Sequence, residues 1–338
     1  MSDLTQNNNN FANPKNIHFL KYLTKEAHTS YVYNNAFSVF KSINNIFYLI
    51  YGNKIQSIIC LNLINEQIVN EIKNAHNAEI TSLRHYLDVI KSRDLLLSIA
   101  ANDINIKMWN INNWECLLNL KNIYIRGLLS SAYFLKNNNE NYIITCNDGY
   151  RNIGLIKAFD FKGNQIKEIN DSNDGISFID IYYDKELLKN FIITGNEGYI
   201  KSYDYNNNKI YHKYSDNDND QGICYSIIIR IDNNIIKLMN SCSKGYIRIW
   251  NFHTGNLLNR INVGKKLYGI CLWNNEFLFA GSRDHSIKLI DLKDGKIIKE
   301  LNGHNLEVST IQKIFHPKYG ECLISHGLDS IILWNGKI

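Results

Sequence analysis

The stretch that decides the fold runs from Gly281 to His304 and reads Gly-Ser-Arg-Asp-His-Ser-Ile-Lys-Leu-Ile-Asp-Leu-Lys-Asp-Gly-Lys-Ile-Ile-Lys-Glu-Leu-Asn-Gly-His. It contains a turn, a predicted strand from Ser286 to Ile290, a second turn at Asp294-Gly295, and another predicted strand from Lys296 to Leu301. Short apolar runs bounded by Gly, Asn and Asp are typical of strands joined by tight turns. Weaker copies of this unit run through the chain, so the stretch fixes the phase of the others.

The copies follow one another at intervals of about 40 to 50 residues, a period typical of propeller repeats. Each copy opens with a four-residue pattern: an apolar residue, a variable residue, a small residue and a second apolar residue. Most copies keep the small third residue. The seven openings are Phe37–Phe40, Ile80–Leu83, Ile125–Leu128, Ile176–Ile179, Cys224–Ile227, Leu267–Ile270 and Val308–Ile311. Each ends its third predicted strand on a large residue followed by Asn or Asp: Leu61-Asn62, Trp109-Asn110, Phe159-Asp160, Tyr203-Asp204, Trp250-Asn251, Ile290-Asp291 and Trp334-Asn335. Seven units of four short strands, without helical periodicity, predict a β-propeller.

In these motifs the chain resembles the WD40-repeat family over residues 17–338. The best matches are the segments Asn102–Asn110, Gly245–Asn251, Arg283–Asp291 and Asn302–His304. The resemblance implies an all-β fold, a seven-bladed β-propeller of four-stranded antiparallel blades.

The last unit stops at the end of its third strand, after Trp334-Asn335. An orphan strand at about residues 17–23 is the natural replacement for the missing fourth one. We therefore predict that the N-terminal strand completes the last blade and removes the open sheet edges that would favour aggregation. The Asn-rich residues 1–16 offer almost nothing to bury and are predicted to form a disordered tail, which leaves residues 17–338 as a single domain.

In the WD40 family, a His, a Ser or Thr, a turn Asp and a strand-end Trp form a buried hydrogen-bond network. The resemblance carries this network onto His304, Ser325, Asp329 and Trp334, and in part onto His76, Asp103 and Trp109, where Ile99 stands in the hydroxyl position. Asp284 is a further turn carboxylate, with Ile290 in place of the Trp. Because these groups recur with the repeat, we interpret them as structural and not as a catalytic triad.

The resemblance also implies a binding face at the narrower end of the ring, formed by the turns before the first strands and between the second and third. Arg and large aromatic residues dominate interface energetics. The candidate binding residues at this face are Arg126, Tyr225 and Tyr268 in the opening motifs, and Lys244 and Arg283 in the turns.

Composition narrows the function classes. The net charge of +5 is mild, and the longest basic cluster, Lys265-Lys266, is far short of a nucleic-acid stripe. Seven scattered cysteines without a C-x-x-C pair favour reduced, mostly buried thiols. Asp216–Asp220 resembles the start of a calcium loop, but Gln221 and Ile227 replace the required Gly and Glu, which favours a solvated loop. No phosphate loop, nucleophile elbow or zinc motif is present, so we predict no cofactor and no metal.

The leading hypothesis is a non-enzymatic scaffold that binds peptides or protein domains within a larger assembly. The alternative is an adaptor for nucleic acid or a membrane surface, and a propeller hydrolase ranks third, because no inward acidic cluster repeats. The sequence lacks a signal peptide pattern and an apolar run of about 20 residues. We therefore expect a soluble, cytoplasmic protein, with the nucleus as the other compartment.

Overall fold

Seven four-stranded antiparallel sheets make up nearly all of the described structure. The computed structural model describes residues 13–25, 37–53, 55–100, 105–124, 129–148, 154–171, 175–216, 222–232 and 235–336. A single 3-10 turn (Pro14–Asn16) precedes the first strand, β1 (His18–Thr24). The sheets are the blades of a ring, numbered 1 to 7 in chain order.

Blade 1 consists of β2 (Phe37–Lys41), β3 (Phe47–Gly52), β4 (Ile58–Asn62) and β5 (Ile68–Ile72). Blade 2 consists of β6 (Ile80–Asp88), β7 (Arg93–Ala100), β8 (Ile106–Asn110) and β9 (Glu115–Leu120). Blade 3 consists of β10 (Leu129–Asn137), β11 (Glu140–Asn147), β12 (Leu155–Asp160) and β13 (Gln165–Asn170). Blade 4 consists of β14 (Phe178–Asp184), β15 (Lys189–Gly195), β16 (Tyr199–Asp204) and β17 (Lys209–Ser215).

Blade 5 consists of β18 (Cys224–Asp232), β19 (Ile235–Cys242), β20 (Tyr246–Asn251) and β21 (Leu257–Asn262). Blade 6 consists of β22 (Leu267–Leu272), β23 (Phe277–Ser282), β24 (Ser286–Asp291) and β25 (Ile297–Asn302). Blade 7 consists of β26 (Val308–His316), β27 (Gly320–Gly327) and β28 (Ile331–Asn335), with β1 as its fourth strand.

Burial follows the position of a strand within its blade. In blade 6 the third strand, β24, is buried at every position except its last residue. The outermost strand, β25, buries only Leu301. Strands that are covered on both faces read as continuous apolar runs, whereas half-exposed strands alternate, which explains why the third strands carry the clearest motifs in the sequence.

The hydrophobic core is divided into seven clusters, each formed between two neighbouring blades. Between blades 6 and 7, for example, Phe279 and Leu289 pack with Leu323 and Trp334. No blade has a core of its own, because a single sheet cannot cover both of its faces. The stability of each blade therefore depends on its two neighbours.

The first strands of successive blades contact one another and form the inner wall of the ring. The Ser130 hydroxyl of blade 3 donates to the Ile176 carbonyl of blade 4 at 2.6 Å. Gln312 of blade 7 donates from Nε2 to the Val39 carbonyl of blade 1 at 3.2 Å. Such bonds fix the spacing between blades, and the last one joins the two ends of the series.

Strand β1 closes the ring. It pairs antiparallel with β28, with His18 opposite Asn335. The Tyr22 hydroxyl donates to the Gly303 carbonyl at 2.9 Å, which also ties β1 to the segment after β25. The predicted propeller and its closure by the N-terminal strand are thus confirmed.

Most of the predicted tail, residues 1–12, lies outside the described residues. Residues 13–16 form the 3-10 turn, in which Pro14 is buried. The division into a tail and one domain from residue 17 stays a prediction. No helix in the described part of the chain is long and apolar enough to span a membrane.

Candidate functional site

The first strands begin, and the turns between second and third strands lie, at the same end of the ring, because neighbouring strands are antiparallel. At this end of blades 5 to 7, basic, aromatic and acidic side chains come together. We call this set the basic-aromatic patch; its members are Tyr225, Lys244, Lys265, Lys266, Tyr268, Arg283 and Glu307.

The two tyrosines of the patch are buried and pack against each other beneath its cations. The rings of Tyr225 and Tyr268 meet edge to face with centroids 5.0 Å apart, and the residues are only 7% and 1% exposed. The Lys266 ammonium lies 5.3 Å from the Tyr225 centroid and 5.2 Å from the Tyr268 centroid. The tyrosines, predicted as binding anchors, are therefore covered, and the lysine that they hold is the more accessible group.

Lys266 is only partly exposed, and its charge is affected by its surroundings. Burial lowers the pKa of Lys266, an effect that Glu307 opposes and Arg283 reinforces. Contact of an ammonium with two aromatic faces stabilises the cation. The result is a cation that is already held in place and partly desolvated.

Arg283 is the most exposed cation of the patch for which a partner is seen. Its Nε lies 3.1 Å from Glu307 Oε1, while 67% of its side chain is exposed. The other carboxylate oxygen of Glu307 accepts a hydrogen bond from the Tyr268 hydroxyl at 2.7 Å. A buried tyrosine therefore positions the carboxylate that in turn holds the guanidinium.

Backbone contacts fix the turns that carry the remaining lysines. Gly245 has φ = 85°, and a Cβ there would lie 2.5 Å from the Lys265 carbonyl oxygen, so only glycine allows this approach. The Arg283 N–H donates to the Lys266 carbonyl at 2.9 Å. Lys244 and Lys265 are both exposed, and the rigid turns hold them beside Lys266.

The structure brings together four of the five predicted binding residues. The fifth, Arg126, lies in residues 125–128, outside the described part of the chain. Sequence reasoning missed Lys265, Lys266 and Glu307. Their signal was available, because each stands within two residues before the opening of a first strand.

His304 lies at the centre of a hydrogen-bond network in blade 7. Its Nε2 is 2.6 Å from Ser325 Oγ, and its Nδ1 is 3.2 Å from Asp329 Oδ1. The Trp334 indole donates to the same Ser325 Oγ at 2.7 Å. Since a carboxylate only accepts hydrogen bonds, the Nδ1 atom of His304 carries a proton and donates to Asp329.

Asp329 completes this network at the turn. Burial alone would raise the pKa of Asp329, but hydrogen bonds from His304 and from the Asn305 N–H lower it to about 2. Gly327 makes room for the arrangement, because a Cβ there would lie 2.7 Å from Asp329 Oδ1. The carboxylate is therefore ionised and fixed, and no substrate-sized space separates it from the imidazole.

Blade 2 repeats the core of the network. His76 Nε2 lies 2.8 Å from Ser98 Oγ, and Trp109 Nε1 donates to the same oxygen at 2.8 Å. The expectation of Ile99 in the hydroxyl position was wrong, because side chains alternate along β7 and Ile99 faces an apolar cluster instead. Asp103 lies in residues 101–104, outside the described residues.

Asp284 serves a turn and not a histidine. Its carboxylate accepts from the Ser286 hydroxyl at 2.6 Å and lies 2.9 Å from Lys288 Nζ. Burial would raise the pKa of Asp284, but the hydrogen bonds from Ser286 and Lys288 lower it to about 2. The residue therefore stabilises the turn before β24, next to the exposed side chain of Arg283.

Blade 4 contains a network that the sequence motifs did not reveal. The buried carboxylate of Asp171 lies 2.5 Å from Lys201 Nζ and accepts from the Tyr203 hydroxyl. Thr194 Oγ1 and Asn196 Nδ2 lie 3.4 and 3.3 Å from its other oxygen. Position was the available signal, since Asp171 stands 23 residues before Thr194, as His76 stands 22 residues before Ser98.

The acidic run that resembles the start of a calcium loop begins at Asp216, which is paired with cations of the chain itself. Its Oδ2 lies 3.3 Å from Arg248 Nε and 3.3 Å from Arg260 Nη1, and residues 217–220 lie outside the described part. Among described residues, no group of three or more His, Cys, Asp or Glu side chains could hold a metal. All seven cysteines are free, and only Cys116 is exposed.

No family model matches the chain. It is 25% identical over 105 residues to the "U3 small nucleolar RNA-associated protein 21 homolog" of Schizosaccharomyces pombe, a match that covers 31% of this chain and 11% of that protein. It is 26% identical over 103 residues to the "Transcriptional corepressor LEUNIG_HOMOLOG" of Arabidopsis thaliana, with 29% and 13% covered. Each match therefore spans under a third of this chain and a small part of the relative.

Proposed function

Since this chain is a WD40-repeat β-propeller, we propose that it acts as a non-catalytic scaffold and binds a peptide or protein domain at the basic-aromatic patch. The observation that carries the proposal is the chain of contacts from the buried Tyr268 through Glu307 to the exposed Arg283. An exposed Arg held in place through a buried Tyr suits an interface hot spot, because hot spots are enriched in Arg and Tyr.

The histidine and serine side chains that could resemble a catalytic site have contacts that support a structural role. The imidazole of His304 contacts both a carboxylate and a serine. The hydroxyl of that serine, Ser325, also accepts a hydrogen bond from Trp334. A serine in that position has no path to a substrate. The same arrangement recurs in blade 2, as expected for a repeated structural device and not for an active site.

The names of the two relatives refer to a small nucleolar RNA and to transcriptional corepression. Both names support work inside the cell and within assemblies. We place this protein in the cytoplasm or the nucleus, as one component of a larger complex.

The test is affinity purification of the tagged full chain from its native cell, after nuclease treatment and at moderate salt. The patch variant carries Lys244→Glu and Arg283→Glu. The matched control carries Lys293→Glu and Lys296→Glu, two exposed lysines at the opposite end of blade 6. Both variants change the net charge equally, and both remove one ion-paired cation, since Lys296 lies 2.9 Å from Asp294.

We expect the patch variant to lose the co-purified proteins and the control to retain them, with equal thermal stability of the two. An unchanged set of proteins with the patch variant would refute the proposed site. Loss of the bound material on nuclease treatment alone would identify a nucleic-acid adaptor instead.

A further inference from the structure

We propose that the basic-aromatic patch recognises an acidic peptide segment, whose carboxylate or phosphate groups contact Lys244, Lys265, Lys266 and Arg283. The inference rests on the proposed function and adds the chemistry of the partner. It follows from charge, from the way two of the cations are held, and from the size of the patch.

The charge of the patch is strongly unbalanced. Among the described residues, the patch contains four cations and one carboxylate, Glu307, whereas the whole chain carries a net charge of only +5. A further carboxylate on these turns, Asp284, lies 2.9 Å from the ammonium of Lys288. An acidic segment supplies the charges that this part of the surface lacks, which gives both specificity and faster association.

Two of the cations are positioned before any partner arrives. Lys266 is held over two aromatic rings, and Arg283 is held at Nε by Glu307. Long basic side chains normally lose rotamer entropy when they bind, and preorganisation removes part of that cost. The guanidinium also offers a planar fork of donors that matches a carboxylate or a phosphate.

The other two cations extend the site to one side. Lys244 and Lys265 are exposed and lie on turns that touch through Gly245. Together with Lys266 and Arg283 they form a short basic surface across blades 5 and 6. Its extent suits a peptide with a few acidic residues, whereas a nucleic-acid duplex requires a longer basic stripe along its backbone.

The experiment measures fluorescence anisotropy of labelled peptides with the purified full chain. One peptide of about 12 residues alternates Glu with Gly and Ser, a second has Gln for each Glu, and a third has phosphoserine for each Glu. We expect the Glu or phosphoserine peptide to bind at least about tenfold more tightly than the Gln peptide, in line with charge-assisted hydrogen bonds. The ratio of the two acidic peptides identifies the source of the anionic groups.

The variants locate the binding. Lys244→Glu with Arg283→Glu should weaken binding of the acidic peptide by at least about tenfold, while Lys293→Glu with Lys296→Glu should change it by less than about twofold. Equal binding of the Glu and Gln peptides, or equal losses in both variants, would overturn the proposal. Tighter binding of a single-stranded RNA of equal charge would overturn it in favour of nucleic acid.

The two proposals can fail separately. If the patch variant loses its cellular partners but the Glu, phosphoserine and Gln peptides bind alike, the scaffold function stands and the acidic chemistry is wrong. If the patch variant keeps its cellular partners, the proposed site itself is wrong.

Discussion

Blades 4 and 7 each contain a network of polar side chains at equivalent positions of the blade, but the chemistry of the two networks differs. In blade 7, an imidazole, that of His304, meets the hydroxyl of Ser325 21 residues later. In blade 4, a carboxylate, Asp171, meets the hydroxyl of Thr194 23 residues later. The strand-end aromatic donates in both blades, from Trp334 to the serine and from Tyr203 to the aspartate.

The difference lies in how deeply the carboxylate is buried. In blade 7, the carboxylate of the network, Asp329, keeps 17% of its side chain exposed. In blade 4 the Asp171 side chain is fully buried and its partner Lys201 is 6% exposed. At this position of a blade, buried donors and acceptors must be paired. Networks with and without a fully buried carboxylate both meet that requirement.

The largest expected effect comes from breaking the blade 4 network. Asp171→Asn keeps the shape but removes the carboxylate that lies 2.5 Å from the buried Lys201 ammonium, which should lower the free energy of unfolding by about 3–5 kcal/mol. Urea denaturation measures this value. Asp294→Asn is the matched control, because its exposed pair with Lys296 should contribute little to stability. Equal losses in the two variants would show that the blade 4 ion pair is not what matters.

Breaking the blade 7 network should lower the free energy of unfolding by less. Ser325→Ala leaves both the Trp334 N–H and His304 Nε2 without a buried partner, and we expect a loss of about 1–3 kcal/mol in the same measurement. Ser98→Ala in blade 2 removes the same two kinds of bond and should give a similar value. Two very different losses would mean that the blades do not use the network in the same way.

Acid should weaken blade 7 through Asp329. Its pKa is about 2 in the fold against an ordinary value of 3.8, so the ionised carboxylate contributes up to about 2 kcal/mol above pH 4. Because the pKa is depressed by folding, this contribution is lost as the pH falls from about 4 through about 2. Urea midpoints across this range should fall less steeply for Asp329→Asn than for the wild type. Parallel curves would contradict the assignment.

The smallest effect is expected at Asp284, which has a similarly low pKa but no histidine. Asp284→Asn removes one carboxylate from Lys288, while Glu300 still lies 2.8 Å from the same ammonium. We expect a loss of under about 1 kcal/mol, because the turn is partly exposed. A loss as large as that of Ser325→Ala would show that the turn carboxylate matters without the histidine network.

The sequence was sufficient for the fold, because the period and the third-strand motifs recur in every blade. It was also sufficient to name His304, Ser325, Asp329 and Trp334 together, since these match a motif of fixed residue types. The motif search missed Asp171 with Lys201, because it compares residue types, whereas the fold fixes only where a donor must meet an acceptor.

The sequence predicted the position of the candidate site better than the accessibility of its side chains. Tyr225 and Tyr268 were placed correctly at the starts of first strands, but the first strands of neighbouring blades meet there and cover the rings. Lys266 was overlooked because a lysine before a strand has no motif. Its significance comes from two rings that belong to different blades, which only the folded ring brings together.

Ring closure by β1 has a consequence for how the protein is made. Of the described strands, β1 leaves the ribosome first and its partner β28 leaves it last. Until then blade 7 lacks an edge strand, and Phe19 cannot reach Trp334, its aromatic neighbour at 6.0 Å. This pairing therefore comes last among the described strands and joins distant parts of the chain, a slow kind of step. A nascent chain stalled in blade 7 would present two unpaired sheet edges, which are prone to pair with other chains.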